Sequence, residues 1–177
     1  MLSPDEVMAL KHQLADEKLY APPKIDFMVN GVCPLRCEGC WGPDWSLKGS
    51  ISAEQWVQTA DILSYRGLQE VVVSGGEPLL RPDIETLIEG LWQLRLRVTL
   101  SSICHGILDR PRILRNIAEL GIPLDGPTPE TNAQSRPAAN PRLNDRSFWD
   151  SILALQRIPY FYRDIEVTLR TVVDWYN

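Results

Sequence analysis

A chain of 177 residues suffices for one domain with its own core, but is short for a closed eight-stranded α/β barrel, which takes roughly 200 residues or more. Hydrophobic residues at 44% and charged residues at 23% form an ordinary globular balance, which excludes extended disorder. With 18 Lys and Arg against 23 Asp and Glu, the formal charge of −5 disfavours a broad electrostatic footprint for nucleic acid. No apolar run approaches the roughly 18 residues of a membrane span. The first twenty residues carry acids early and lack an apolar stretch, so they do not read as a signal peptide; the expectation is a cytoplasmic protein.

Ser3-Pro4-Asp5-Glu6 reads as a helix start with a capping box, and the helix is expected to run to about Lys18 before Pro22-Pro23. Lys24–Val32 reads as a strand that feeds a cysteine-rich loop. Ser52 caps a helix over 53–66 that Gly67 stops. Glu70–Ser74, with its run of valines, is a buried strand. A helix from Pro82 to about Leu94 follows, then a strand over Arg97–Ser101. Pro111–Leu120 reads as a helix that Gly121 stops, with a short strand over Ile122–Leu124. Residues 126–144 form a polar connection rich in Pro, Asn and Thr, read as a functional loop. Ser147–Arg157 is a predicted helix and Ile165–Val173 a fifth strand. Strands alternating with helices predict an α/β fold with a parallel sheet. The expected division is a helical extension over 1–20 and a barrel-like domain over 21–177.

Cys33, Cys37 and Cys40 form a C-x3-C-x2-C triplet, while Cys104 stands apart. Such clustering suggests metal ligation rather than a disulfide framework. A closed zinc site wants four ligands, and Cys104 or His105 would have to complete it. The spacing of a bacterial ferredoxin is absent. Three cysteines on a four-iron cluster would leave one iron open to a ligand.

At these residues the chain resembles the radical S-adenosylmethionine (radical SAM) family. The resemblance implies that Cys33, Cys37 and Cys40 hold a [4Fe-4S] cluster whose open iron binds S-adenosylmethionine. Reductive cleavage then yields a 5′-deoxyadenosyl radical that takes hydrogen from substrate. Ser74-Gly75-Gly76-Glu77-Pro78 after the second strand matches the family's GGEP motif. Glycines there let backbone approach a ligand, and Glu77 or carbonyls nearby would accept from the methionine ammonium. Leu124-Asp125-Gly126-Pro127 with Arg136, and Thr171-Val172-Val173, are further matches, so the resemblance runs over 24–177. Gly75, Gly76, Glu77, Pro78, Trp41, Ser102 and Arg136 are the implied cofactor-binding residues, with Ser101 beside Ser102 as a second ribose contact.

The chain departs from the family at several places. Gly39 stands where many members carry an aromatic before the third cysteine. Trp41 follows it, either packing under the loop or meeting adenine. Pro123 replaces a serine, and Asn132 and Ala133 replace a His-Asp pair. Arg136 reads as a contact to the cofactor carboxylate or ribose, or as a loop salt bridge. Cys104 is a buried core residue, a thiol behind the metal ligands or a group that meets substrate, and His105 a proton donor or an ordinary loop residue.

The family's barrel usually has six strands, so this is expected to be a partial barrel of about five, with a partner chain or second copy completing it. The implied function is a radical SAM enzyme, an oxidoreductase, acting on a peptide or small metabolite. Its electron donor would be a carrier such as a flavodoxin or ferredoxin. The alternatives are a glycyl-radical activating enzyme and a truncated, weakly active iron–sulfur or zinc module.

Overall fold

The computed structural model describes residues 1–40 and 51–172. Its strands are β1 (Lys24–Met28), β2 (Glu70–Ser74), β3 (Arg97–Ser101), β4 (Glu119–Pro123) and β5 (Glu166–Arg170). They form one sheet in chain order with every neighbouring pair parallel. The helices are α1 (Pro4–Asp16), α2 (Ala53–Ser64), α3 (Ile84–Gln93), α4 (Pro111–Arg115), α5 (Pro129–Ser135) and α6 (Asn144–Phe161). Sequential parallel strands joined by helical crossovers, with the helices packed on one face, make this a portion of a (βα) barrel.

The two faces of the sheet differ in chemistry because side chains alternate along each strand. Val71, Val73, Val98, Leu100, Leu120 and Ile122 are fully buried against the helices. There they share one core with Leu87, Ile88 and Leu91 of α3, Ile113 of α4, and Ala154 and Ile158 of α6. The opposite face carries Asp26, Glu70, Ser74, Arg97, Thr99, Ser101, Glu119, Thr168 and Arg170 in the alternate positions. Lys24 pairs with Glu70 at 2.6 Å, and Arg97 reaches Glu166 at 2.8 Å and Glu119 at 3.5 Å. The Thr99 hydroxyl lies 3.1 Å from Glu70 and 3.3 Å from Glu119.

Local sequence signals explain most of the element ends. Ser3 with Glu6 and Ser52 with Gln55 both form complete capping boxes. Gly67 turns the chain after α2 at φ +109°. β1 ends at Met28, short of Val32, because the following residues leave the sheet to meet the turn after β2.

Several expectations are corrected. The helix at Pro111 ends at Arg115, and Gly121 sits in the middle of β4 instead of stopping a helix. Leu120 and Ile122 fill the helix-facing core on either side of it, so sheet pairing overrides the helix-stop signal. The connection over 126–144 is not irregular throughout. Thr128 caps α5 with a side-chain bond to the N–H of Thr131, and Pro141–Leu143 form one 3₁₀ turn leading into α6. The helix α6 also outruns its predicted span at both ends, passing through Pro159. Val173, the expected end of the last strand, lies outside the described residues. No described helix is long and apolar enough to cross a membrane.

Burial works against ionisation of Glu70. Hydrogen bonds from Lys24 and Thr99, with the charges of Lys24 and Arg97, outweigh it and hold its pKa below the usual value. A depressed carboxylate pKa stabilises the fold above the unfolded-state value and loses that stabilisation as pH falls through the folded one. Urea denaturation between pH 6 and pH 3 should therefore show a shallower acid loss in Glu70→Gln than in the parent chain. Equal slopes would contradict this assignment.

Candidate cofactor site

The site is built where three chain segments meet at the C-terminal ends of the strands. After β1, residues 29–32 run beside the turn that follows β2. The N–H of Val29 donates to the Ser74 carbonyl, Gly76 N–H to the Asn30 carbonyl at 2.8 Å, and Glu77 N–H to the Val32 carbonyl at 2.7 Å. The approach is so close that a Cβ on Gly75 would lie 2.4 Å from the Asn30 carbonyl oxygen, and one on Gly76 2.3 Å from that of Val32. Gly75 also takes φ +127°, so both positions require glycine.

The cysteine loop is backed by the segment after α5. Leu35 bridges Ala138 in antiparallel fashion. Arg36 N–H donates to the Pro137 carbonyl at 2.7 Å, Ala139 N–H to Pro34 at 2.8 Å, and Glu38 N–H to Ser135 at 3.0 Å. Leu35, Ile103 and Ala138 form a small apolar cluster against which Cys33 and Cys37 pack. The connection over 126–144 thus serves as the wall that shapes the cysteine loop.

A cavity of about 260 Å³ opens at this junction. Cys33, Cys37 and Cys40 line it together with Gly75, Gly76, Glu77, Ser102 and Arg136, so the sequence-predicted residues converge. Ser101 also lines it. Pro78 does not; it is buried at the start of a 3₁₀ turn over Pro78–Leu80. Trp41 lies outside the described residues. Sequence reasoning missed Ser74 and Arg170, both on the polar face and both in the lining. For Arg170 the signal was the alternation along β5, whereas in β2 a run of three valines separates Glu70 from Ser74. A wider groove of about 690 Å³ lies outside the barrel between α1 and the α2–α3 pair, but no cysteine lines it and no convergent chemistry marks it.

Glu77 belongs to the lining and turns its carboxylate toward the interior. Its side chain is fully buried. One carboxylate oxygen accepts from the Ser102 hydroxyl at 2.7 Å and the Leu79 N–H at 3.0 Å; the other accepts from the Ile103 N–H at 2.9 Å. Burial pushes its pKa up, and those three donors pull against that rise. The carboxylate therefore clamps the turn after β2 to the turn after β3. Ser102 is engaged on both sides, since its oxygen also accepts from the Cys104 N–H at 2.9 Å.

Arg136 both lines the cavity and forms an ion pair. Its Nε lies 2.5 Å from the buried Asp125 carboxylate, and its Nη1 lies 3.8 Å from the Cys37 sulfur. Burial raises the Cys37 pKa, and the Arg136 charge opposes the rise. Burial also pushes Cys33 up to about 11. Burial thus disfavours the thiolate at both cysteines, and a bound cation would oppose that.

Cys104 and His105 stand apart. Cys104 is buried in the main core, and desolvation holds its thiol well above the ordinary value. The His105 Nδ1 lies 2.9 Å from Asp150 and faces a separate cavity of about 220 Å³. Neither lines the cavity of the three cysteines. Among the described residues no group of three His, Cys, Asp or Glu side chains converges for a single metal ion. Soft thiol donors spread over a loop, beside a glycine turn whose backbone has no side chain to shield it, suit an iron–sulfur centre with a second ligand next to it.

The family model of the radical SAM superfamily matches residues 28–161. An AdoMet-dependent heme synthase of Methanosarcina barkeri is 29% identical over 123 residues, covering 66% of this chain and 35% of that protein. A PqqA peptide cyclase of Streptomyces rochei is 31% identical over 77 residues, covering 42% of this chain and 21% of that protein. The structure of Streptococcus suis SuiB bound to precursor peptide SuiA aligns with a TM-score of 0.66 at 16% identity, over 96% of this chain and 38% of that one. At that identity the likeness is one of fold. The chain spans well under half the length of each of these proteins.

Glu77→Ala leaves three buried donors without an acceptor and should cost about 3 kcal/mol of stability in urea denaturation, with Glu77→Gln losing less. A loss under about 0.5 kcal/mol in Glu77→Ala, the range of a neutral surface change, would show that the clamp is not structural.

Proposed function

The chain belongs to the radical SAM superfamily, and from that premise we propose that it is a radical SAM enzyme acting on a peptide or a small metabolite. Members of this superfamily use a [4Fe-4S] cluster and S-adenosylmethionine. One observation carries the reading: three thiols and a glycine turn forced open by close backbone contacts line the same cavity. Cys33, Cys37 and Cys40 would hold the cluster. When bound, the cluster supplies the electron that splits S-adenosylmethionine and yields a 5′-deoxyadenosyl radical.

The chain's own residues bind, orient and shield. Backbone carbonyls at Gly75 and Gly76 would accept from the cofactor ammonium, and Glu77 keeps that turn in place. Ser101 is the better-placed ribose contact, since the Ser102 hydroxyl already donates to Glu77 and accepts from Cys104. Arg136 keeps a positive charge beside the Cys37 sulfur. Leu35, Ile103 and Ala138 exclude water behind the cysteines. A one-electron carrier such as a flavodoxin or ferredoxin would feed the site, and a cytoplasmic setting suits such reduced thiols.

The test is product analysis. A cluster-loaded chain given S-adenosylmethionine and dithionite should release 5′-deoxyadenosine, and Cys37→Ala should release none. A chain that carries its cluster and binds S-adenosylmethionine yet forms no 5′-deoxyadenosine would refute the proposed activity.

A further inference from the structure

A second cavity, of about 220 Å³, shares part of its wall with the cavity of the cysteines, since Leu35 and Ile103 line both. Pro34, Leu80 and Leu143 complete its apolar wall. They come from the cysteine loop, the turn after β2 and the turn before α6. The polar members of the lining are His105, Arg146 and Ser147. Neither the cysteine site nor the Glu77 clamp uses them.

His105 is held from two directions. It sits between Cys104 and Gly106, which take φ +65° and +67°. That left-handed conformation is ordinary for glycine and rare for cysteine. The turn is pinned on both flanks. The Ser102 oxygen accepts from the Cys104 N–H at 2.9 Å, and the Ser151 hydroxyl of α6 donates to the Ile103 carbonyl at 3.2 Å. The imidazole Nδ1 then meets Asp150 of α6 at 2.9 Å. Arg146, one helical turn earlier, lies 3.8 Å from the same carboxylate and supplies its counter-charge.

A carboxylate can only accept, so the Nδ1 of His105 carries the proton, and Nε2 of the neutral ring is then an acceptor. Among the described residues none bonds to Nε2. Asp150 stays outside the cavity lining while His105 belongs to it, so the ring edge that meets the cavity is the one turned away from Asp150.

We propose that this cavity is a binding pocket for a phenolic ring, whose O–H donates to His105 Nε2. The apolar wall suits the ring, and the one oriented acceptor suits its hydroxyl. Pockets that enclose a drug-sized ligand measure roughly 300–1,000 Å³, so this smaller one admits a single ring and not a nucleotide. The phenol belongs either to a free small molecule or to the tyrosyl side chain of a peptide. The pocket is separate from the cofactor cavity, and the assignment holds whatever fills that cavity.

Titration calorimetry on the full chain tests it, with p-cresol, its methyl ether, benzoate and N-acetyltyrosinamide as probes. p-Cresol should bind at least tenfold more tightly than the ether, which cannot donate, because a site built to hydrogen-bond a hydroxyl rejects an analogue without the donor. His105→Phe keeps a ring but no acceptor, and should lower p-cresol affinity at least tenfold while leaving the ether unchanged. Tighter binding of N-acetyltyrosinamide than of p-cresol marks a peptide as the source, and the reverse order marks a free phenol.

Nitrogen NMR of the histidine rings gives a readout that needs no change in the pocket. The chain has two histidines, so His12→Gln on the exposed side of α1 leaves His105 as the single imidazole. Its Nε2 resonance should shift on addition of p-cresol and stay in place with the ether. Equal binding of p-cresol and the ether, no binding of either phenol, or unchanged p-cresol affinity in His105→Phe would overturn the assignment. So would tighter binding of benzoate than of p-cresol, which would make the pocket an anion site of Arg146.

Discussion

Glu77 takes a carboxylate into an interior from which water is excluded, where it must be hydrogen-bonded or protonated. Three donors meet it, from the turn after β2 and the turn after β3. The rest of the site depends on that clamp. It fixes the turn whose glycines admit the Asn30 and Val32 carbonyls, and so fixes where the chain leaves β1 to become the cysteine loop. Ile103, whose N–H is one of the three donors, also supports the apolar patch under Cys33 and Cys37. A single buried side chain thus ties the cysteine loop, the glycine turn and the third strand into one frame.

The sheet divides its work between its faces. The helix-facing side is dry and apolar and carries the stability of the fold. The other side is a field of paired charges and hydroxyls, with Glu119 shared by Arg97, Arg170 and Thr168. Parallel strands buried on both faces read as continuous apolar runs. The alternation in EVTLR and RVTLS marks a sheet that meets a polar cavity instead. Arg170 and Ser101 occupy the end of that polar face nearest the cysteines.

How much was legible in the sequence follows from the range of the forces involved. The strands at Glu70–Ser74 and Arg97–Ser101 were readable to the residue, because β-branched runs and flanking turn residues are local signals. The cysteine spacing and the Gly-Gly-Glu-Pro turn were equally local. Gly121 was misread because a glycine after a helical pattern looks like a stop, whereas it lies inside β4, where its bare face meets the Arg170 guanidinium from β5. Arg170 was overlooked for the same reason, since an arginine at a strand end looks solvent-bound until β5 pairs with β4. The inward turn of the Glu77 carboxylate, and the pairing of residues 34–38 with 135–139, are long-range contacts that no local pattern encodes.

The central claim is that Cys33, Cys37 and Cys40 together hold one iron–sulfur cluster while Cys104 does not. Anaerobic reconstitution with iron and sulfide, followed by iron and sulfide analysis of each cysteine variant, tests it most directly. The account predicts about four irons and four sulfides per chain, as a [4Fe-4S] cluster requires. It predicts that they are kept in Cys104→Ala and lost in Cys33→Ala, Cys37→Ala and Cys40→Ala. Zinc without iron, or a full cluster in any of the last three variants, would contradict it.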